Sequence, residues 1–303
     1  MEWLKSLVLG VVQGITEFLP ISSDGHLLIT QNLFDWLMGT HSSGKENLFF
    51  DVILHLGTTA AILVYYRRGI ATGLRGLLGA DDMPEGFRRP EVVRVGILAA
   101  IATSPLIPLA LFLKKWIEQA FEGITMAGIG FLITAAVLLL TAWLSRRDGA
   151  KGPAQTTWLD ALLIGIAQMF APLPGVSRSG LTIAAALALG LSRTWAVRFS
   201  LLIAVPAILG AAAKEMLDMY KSHAVLPAAD FVAQAIAATI VAGAVGYAAI
   251  AWLVRVVRSG HIWYFSVYLI LVGTLVLAVA IHGGSANAGR SSALDRTVRV
   301  GNP

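Results

Sequence analysis

The amino-acid sequence predicts an all-α integral membrane protein with six transmembrane helices plus two re-entrant helix–loop–helix hairpins in an inverted-topology repeat. Three observations support this prediction. The chain of 303 residues is 56% hydrophobic and only 14% charged, with a mean hydropathy of +0.73. Six segments are long and apolar enough to cross a membrane, and two further apolar segments are broken by proline, glycine and serine. A soluble domain of this size would be far less apolar.

Charge and cysteine content exclude several classes of protein. The chain has no cysteine, so disulfides, thiolate chemistry and cysteine-ligated zinc are excluded. Its net charge of +5 comes from arginines between apolar segments, which is typical of orientation in a membrane. We therefore expect contact with membrane lipids and no nucleic-acid partner.

The predicted spanning helices each have the roughly 20 residues that an α-helix needs to cross about 30 Å of hydrocarbon. They lie near residues 49–66, 92–113, 124–144, 195–213, 232–254 and 262–281. Arginines concentrate in the loops around residues 67–94, 146–151, 193–198 and 255–258. By the positive-inside rule these loops are cytoplasmic, which leaves both termini and the ends of the first hairpin outside.

The two broken segments cover residues 3–37 and 157–192, with the breaks at FLPISSDG and PLPGVSRSG. Non-helical backbone survives at membrane depth only where protein or a water-filled cavity satisfies its peptide groups. We therefore interpret each segment as a re-entrant hairpin that leaves the membrane on the side where it entered.

The breaks also resemble each other. GVVQ, LP and SSDG follow in that order in the first segment, and GIAQ, LP and SRSG follow about 155 residues later in the second. Chance similarity of short apolar strings is the alternative, but each copy also begins a unit of one hairpin and three spanning helices. Because each unit crosses the membrane three times, the second unit starts on the opposite side and is inverted relative to the first. We expect one membrane domain over 1–284, with repeats of about 1–147 and 155–284, and a flexible polar tail over 285–303.

Polar side chains gather at the first break. Gln13 and Glu17 share one helix face immediately before it, although a carboxylate at a helix end can also simply face headgroups. Beyond the break follow four more polar residues: Ser22, Ser23, Asp24 and His26. Capping of the next helix explains one of them but not all four.

The second break, GVSRSGLT, has the composition of an anion site. Its glycines let the backbone approach a ligand closely, the Arg178 guanidinium suits phosphate oxygens, and a helix start adds free N–H groups. The other candidate ligands are Gly175, Ser177, Ser179 and Thr182. The alternative for Arg178 is a structural ion pair with Glu17, which would equally bring the two hairpins together.

If the two breaks meet, they supply what hydrolysis of a phosphate ester or pyrophosphate needs: a nucleophile or activated water, a base, and donors for the phosphoryl charge. A carboxylate beside bound phosphates could also hold a divalent cation such as magnesium. We expect His55 to be a core histidine bonded to a backbone carbonyl, and Asp51 to mark the membrane edge, both outside the site.

Four strings, GVVQGITEFLPISSDGHLLI, FFDVILHLGTTAAILVYYRR, PLPGVSRSGLTIAAAL and RFSLLIAVPAILGA, closely resemble the undecaprenyl pyrophosphate phosphatase, or bacitracin-resistance, family of bacterial membrane proteins. The family's motif of Glu or Gln followed four residues later by Glu falls on Gln13 and Glu17, and its PGxSRSxxT motif begins at Pro174. Gln13 takes the neutral option, and Asp24 stands where members often have Thr. It could be a cap, a second metal ligand or a helper for His26.

The resemblance implies removal of one phosphate from undecaprenyl pyrophosphate, giving the carrier lipid of peptidoglycan synthesis. It also implies a site that opens to the outer side of the bacterial cytoplasmic membrane, and magnesium or calcium dependence. We expect a polyprenyl pyrophosphate lipid as substrate, and a homodimer as a further possibility.

The hypothesis for the mechanism assigns the pyrophosphate to Arg178 and the second break, with Ser22, and a divalent cation to Glu17 and Gln13. Ser23 attacks phosphorus with Glu17 or His26 as base. His26 itself, or water activated by Glu17, would serve the same geometry. The alternative function is a prenyl-phosphate transporter or flippase that uses the same anion site.

Overall fold

The structure is a computed structural model that describes residues 2–39, 44–109, 123–145, 147–221 and 228–300, without the side chains of 44–49 and 283–300. The regular elements in these ranges are helices, numbered here in chain order: α1 (Glu2–Thr16), α2 (Ser23–Met38), α3 (Gly44–Tyr65), α4 (Arg67–Leu77), α5 (Arg89–Thr103), α6 (Ile124–Leu144), α7 (Trp158–Gln168), α8 (Arg178–Ala188), α9 (Arg193–Lys221), α10 (Ala229–Arg258) and α11 (Trp263–Val300).

Among the described residues, five helical segments are long and apolar enough to cross a membrane: Arg89–Pro108, Ile124–Leu144, Arg193–Lys221, Ala229–Arg258 and Trp263–His282. The apolar part of α3, Phe50–Tyr65, is shorter. Both predicted hairpins consist of two helices with a break between them, α1 with α2 and α7 with α8. Within the described ranges, the prediction of a helical protein with several helices suited to cross a membrane is confirmed.

Three elements differ from the prediction. Helix α5 ends at Thr103 rather than running to 113, since Pro105 lacks the N–H that would continue it; a single turn, Leu106–Pro108, follows, and residues 110–113 lie outside the described part. Helix α4 forms where the sequence predicted a loop. The backbone of α11 is helical through residues 285–300, so the flexibility of that tail stays a prediction.

The helices of the two halves pack in matching pairs. Helix α1 packs on α10 as α7 packs on α5, and α3 packs on α10 as α9 packs on α5. The backbones approach equally closely in the first of these matches: a Cβ atom at Gly10 would lie 2.5 Å from the Ala238 carbonyl oxygen, and one at Gly165 would lie 2.4 Å from that of Ala102. These matching contacts agree with the predicted repeat of one hairpin unit in each half of the chain.

The arginine-rich loops lie together at one end of the molecule. The Arg94 guanidinium donates to the carbonyls of Pro153, at 3.2 Å, and Thr156, at 2.8 Å, and also to that of Ala154. The first turn of α9 and the last turn of α10 meet there too, where Arg258 Nε donates to Thr194 Oγ1 at 3.1 Å. This clustering agrees with the grouping of these loops on one side of the membrane.

Candidate active site

The first break places four polar residues around a strained turn. Ser22 has φ 69° and ψ 106°, a conformation that a residue other than glycine rarely adopts. Its hydroxyl accepts from Gly25 N at 3.4 Å and so caps α2, while its carbonyl accepts from His26 Nδ1 at 2.7 Å. The histidine ring thus fixes the turn that presents Ser23, the first residue of α2.

In the second break a serine again caps the following helix, but this serine has no strained backbone conformation. The Ser177 hydroxyl accepts from Gly180 N at 3.0 Å, as Ser22 accepts from Gly25 in the first hairpin. Helix α6 holds this break from behind: Thr134 Oγ1 accepts from Ser177 N at 3.1 Å and donates to the Gly175 carbonyl at 3.3 Å. Gly175 has φ 79°, and a Cβ there would lie 2.0 Å from the Ala127 carbonyl oxygen, so only glycine fits.

The two breaks touch each other. A Cβ at Gly25 would lie 3.0 Å from the Cα of Gly175, and Ser179 Oγ donates to the Leu19 carbonyl at 3.0 Å. Two half-helices, α2 and α8, therefore begin at one point inside the protein. This is the meeting of hairpin tips that the sequence predicted.

Glu17 is the centre of the assembled site. It is 5% exposed, and its Oε1 accepts from Arg178 Nη2 at 2.9 Å. Its Oε2 accepts from Ser23 Oγ at 2.8 Å and from Gln13 Nε2 at 3.1 Å, and lies 3.4 Å from His55 Nε2. A carboxylate with this many donors and a cationic partner is stabilised in its ionised form.

Arg178 forms the ion pair with Glu17 that was the alternative interpretation of this residue. The pair does not use all N–H groups of the guanidinium. Arg178 Nη1 is buried without a hydrogen-bond partner. A buried, unsatisfied donor next to the N-terminus of α8 favours an anion there, since both features offer N–H groups to oxygen. The same guanidinium can therefore serve as partner of Glu17 and as ligand of a phosphate.

We expected His55 to be a core histidine outside the site, and the structure places it beside Glu17. Its Nδ1 does bond to a backbone carbonyl, that of Asp51, at 2.7 Å. Its Nε2, however, reaches Glu17 Oε2. Asp51 accepts from Gln31 Nε2 at 3.2 Å and so joins α3 to α2 behind this histidine. A helical pattern alone does not identify which face of α3 packs on the first break.

His26 points away from Glu17. Its Nε2 lies 2.7 Å from the Tyr268 hydroxyl of α11, and its ring packs against Phe131. Because Nδ1 donates to the Ser22 carbonyl, Nε2 of the neutral ring accepts from Tyr268. In this arrangement Glu17, and not His26, receives the hydrogen bond of Ser23.

The hydroxyls of the second break are buried and occupied within the protein. Ser177 and Ser179 hydroxyls lie 3.2 Å apart, and Thr182 Oγ1 lies 2.6 Å from Ser200 Oγ of α9. Their predicted role as phosphate ligands stays a prediction. Asp24 is exposed and is not the cap of α2; its electrostatic partners are His55, Glu17 and Arg178.

Glu17 and Gln13, the residues predicted to hold a divalent cation, lie side by side, and a role for Asp24 as a second ligand stays a prediction. Gln13 is fully buried, and its Oε1 has no hydrogen-bond partner. An amide oxygen beside a carboxylate is a donor set that suits magnesium when phosphate oxygens and water complete it. No group of three or more His, Cys, Asp or Glu side chains in the described ranges is arranged to hold a metal ion.

Comparison with known proteins decides the family. The family model described as "Bacitracin resistance protein BacA" matches residues 6–275, which include both breaks. The chain belongs to this bacitracin-resistance family. Among its relatives are proteins named undecaprenyl-diphosphatase from Carboxydothermus hydrogenoformans, 36% identical over 93% of this chain and 99% of the relative, and from Desulfatibacillum aliphaticivorans, 38% identical over 91% and 98%.

A third bacitracin-resistance relative, from Desulfosudis oleivorans, carries the same name and is 35% identical over 93% of this chain and 100% of its own length. These matches extend over nearly the whole length of both chains. The names are those of a hydrolase, which favours the phosphatase over the transporter alternative.

Proposed function

We propose that this chain is an undecaprenyl-diphosphatase, which hydrolyses undecaprenyl pyrophosphate to undecaprenyl phosphate and inorganic phosphate. Membership of the bacitracin-resistance family and the names of its relatives support this function. The observation that carries it in the molecule is one carboxylate with a serine hydroxyl on one oxygen and an arginine on the other. Phosphoryl transfer needs that combination of base, nucleophile and positive donor.

The pyrophosphate is proposed to bind at the start of α8. Arg178 Nη1 is the buried donor without a partner, and the first N–H groups of a helix lack acceptors within the helix. When the phosphates arrive, the guanidinium shares its donors between them and Glu17. The prenyl chain then extends between helices towards lipid.

In the proposed reaction, Ser23 Oγ forms a bond to the terminal phosphorus and its proton passes to Glu17 Oε2. The bond from phosphorus to the bridging oxygen breaks, and undecaprenyl phosphate leaves with that electron pair. Glu17 passes that proton to the departing phosphate and is again a carboxylate. Water then attacks the phosphoserine, Glu17 takes one proton of the water and hands it to Ser23 Oγ, which leaves with the electron pair of its bond to phosphorus. The 2.8 Å hydrogen bond from Ser23 to Glu17 supports this base in preference to His26.

A divalent cation, magnesium or calcium, is proposed to bind to Glu17 and Gln13 Oε1 together with phosphate oxygens. When bound, it would neutralise charge on the phosphates. Residues of this chain alone offer one carboxylate and one amide oxygen at that position, so we expect the pyrophosphate to complete the coordination.

The proposed topology has six spanning helices, with α3 as the first, and two re-entrant hairpins in inverted repeats. The helix pairs that match between the halves support it. The proposed location is the bacterial cytoplasmic membrane, with the site open to the outer side. The arginine-rich end would then be cytoplasmic.

The test is release of inorganic phosphate from a C55 or C15 prenyl pyrophosphate by purified protein in detergent, with magnesium or with EDTA. Glu17→Ala and Arg178→Ala are the two variants. We expect release by the wild type with magnesium and its loss in both variants. Folded, lipid-binding wild-type protein that releases no phosphate would overturn the hydrolase, since detergent removes the two sides that a transporter needs.

A further inference from the structure

The imidazole ring of His26 is held at both nitrogens and by two aromatic rings. Its Nδ1 lies 2.7 Å from the Ser22 carbonyl oxygen, and its Nε2 lies 2.7 Å from the Tyr268 hydroxyl. The Tyr268 ring is nearly parallel to the imidazole, with planes at 10° and centroids 5.7 Å apart, and the Phe131 ring packs at a centroid distance of 4.9 Å. The position of the imidazole is therefore set by α6 and α11, the helices that carry these two rings.

The direction of the two hydrogen bonds follows from their partners. A carbonyl oxygen only accepts, so Nδ1 carries the hydrogen and donates to Ser22. Nε2 of the neutral ring then has a lone pair, and the Tyr268 hydroxyl is the donor that faces it. Of the two neutral forms of the imidazole, the hydroxyl thereby selects the one that can bond to Ser22.

The bond to the Ser22 carbonyl holds a strained piece of backbone. Ser22 has φ 69°, a conformation that is unfavourable for a residue other than glycine and persists only where the surroundings hold it. Ser23 follows directly, and its Oγ donates to Glu17 Oε2 at 2.8 Å. If the turn relaxed, the Ser23 hydroxyl would move with it. The direction of this hydroxyl therefore depends on His26.

Helix α11 is a firm support for Tyr268. It packs along α6, and a Cβ at Gly273 would lie 3.1 Å from the Gly128 carbonyl oxygen and 3.1 Å from Phe131 Cβ. The two helices are thus in close contact beside the aromatic ring that also packs on His26. Tyr268 itself is 41% exposed, so its hydroxyl can be removed without opening a cavity in the core.

We propose that Tyr268 is a positioning residue: through His26 it holds the turn that directs the Ser23 hydroxyl. The inference rests on the proposed function, in which the phosphates bind at the other break, at Arg178 and the start of α8. Loss of the Tyr268 hydroxyl should therefore slow the chemical step and leave substrate binding nearly unchanged.

Substitutions at position 268 separate the hydroxyl from the ring. Tyr268→Phe keeps the stacked ring and removes the donor. Tyr268→p-aminophenylalanine, introduced by amber suppression, places an N–H donor at the same end of the same ring. Tyr264→Phe is the matched control, because Tyr264 lies one turn earlier on α11, is 51% exposed and packs on His261.

A double-mutant cycle with His26 tests the route of the effect. His26→Asn places a side-chain N–H near the former Nδ1, where it can bond to the Ser22 carbonyl, and has no atom at the former Nε2. In that background the Tyr268 hydroxyl has no ring nitrogen to bond. Tyr268→Phe should therefore lower kcat when His26 is present and leave it unchanged when His26→Asn is already made.

The experiment measures kcat and KM for phosphate release from a C15 prenyl pyrophosphate in detergent, and Tm, for each variant. We expect Tyr268→Phe to lower kcat about 10-fold with KM changed by less than about twofold, because loss of one hydrogen bond misdirects the nucleophile without removing it. Tyr268→p-aminophenylalanine should recover most of that kcat. The Tm of Tyr268→Phe should equal that of Tyr264→Phe.

The inference is overturned if Tyr268→Phe keeps the kcat of the wild type, or if Tyr268→p-aminophenylalanine is as slow as Tyr268→Phe. An equal loss of kcat in the His26→Asn background, or a loss that follows Tm, would also overturn it, since the hydroxyl would then act by another route or on stability alone. A wild-type protein that releases no phosphate in this assay would instead refute the proposed function, so the two failures are distinguishable.

Discussion

Arg178 Nη2 and Glu17 Oε1 form a 2.9 Å ion pair between residues that lie 161 positions apart in the chain. The pair joins the two breaks, and its members are 13% and 3% exposed in their side chains. Breaking a buried pair by removing one partner leaves an uncompensated charge, which is strongly destabilising. The same contact therefore stabilises the fold and contributes to the proposed chemistry. Only conservative variants can separate the effect on stability from the effect on activity.

Arg178→Lys keeps the positive charge and removes the planar fork of donors. A lost hydrogen bond to a charged group costs about 1.5–3 kcal/mol, so we expect kcat/KM to fall about 10- to 100-fold while the protein stays folded. Phosphate release and Tm measure the two effects. Arg67→Lys, at an exposed position after α3, is the control, and equal kcat/KM in both variants would contradict the role of Arg178 in binding phosphate.

Ser23→Ala removes the hydroxyl that donates to Glu17. If Ser23 is the nucleophile, kcat should fall by about 1,000-fold or more, since catalytic groups that act as a unit fail together. Ser266→Ala is a matched control, because Ser266 is a fully buried serine of α11 whose hydroxyl has no partner. Near-normal turnover of Ser23→Ala would transfer the attack to water or to His26.

The sequence predicted where the two breaks lie and that they meet. Proline, glycine and serine identified both breaks, and the buried charges of Glu17 and Arg178 required partners. It could not place His55 beside Glu17, because that contact depends on how α3 packs against α10. It also left open that Thr182 bonds to Ser200 rather than facing a ligand, because a hydroxyl does not indicate its partner before helices pack.

Two glutamines at corresponding positions of the two hairpins allow a test of the proposed cation site. Gln13 lies in the last turn of α1 and Gln168 ends α7; both are fully buried, and each has an Oε1 without a partner. Gln13 alone contacts Glu17. We expect Gln13→Leu to raise the magnesium concentration for half-maximal activity about 10- to 100-fold, and Gln168→Leu to leave it unchanged.

Gln13→Glu should lower that concentration, because it adds a charged oxygen ligand. Binding of Mn²⁺, followed by electron paramagnetic resonance with and without inorganic pyrophosphate, provides a second readout. The wild type should bind Mn²⁺ tightly only with pyrophosphate. Equal magnesium requirements in both leucine variants would remove Gln13 from the cation site.

The second hairpin is anchored by a cap at its start. Asp160 accepts from Thr157 N at 2.8 Å and from Lys151 Nζ at 2.9 Å, while Thr157 Oγ1 accepts from Asp160 N. Loss of a cap costs about 1–2 kcal/mol, whereas a partly exposed ion pair contributes less than about 1 kcal/mol.

Asp160→Ala should therefore lower the free energy of unfolding in detergent more than Lys151→Ala does. Denaturant titration of both variants and the wild type measures the difference. Larger destabilisation by Lys151→Ala would mean that the ion pair, and not the cap, holds the start of α7.

The absence of cysteine makes the proposed topology directly testable, since every introduced thiol is the only one in the chain. Re-entrant hairpins return to the side where they began, so Glu2→Cys and Gly39→Cys, at the two ends of the first hairpin, should react with an impermeant maleimide from outside intact cells. Asp82→Cys and Gln155→Cys, near the arginine-rich loops, should react only after the membrane is permeabilised. All four positions are exposed. Opposite labelling of positions 2 and 39 would mean that the first hairpin crosses the membrane, and the inverted repeat would then lose its basis, because the second half would no longer enter upside down.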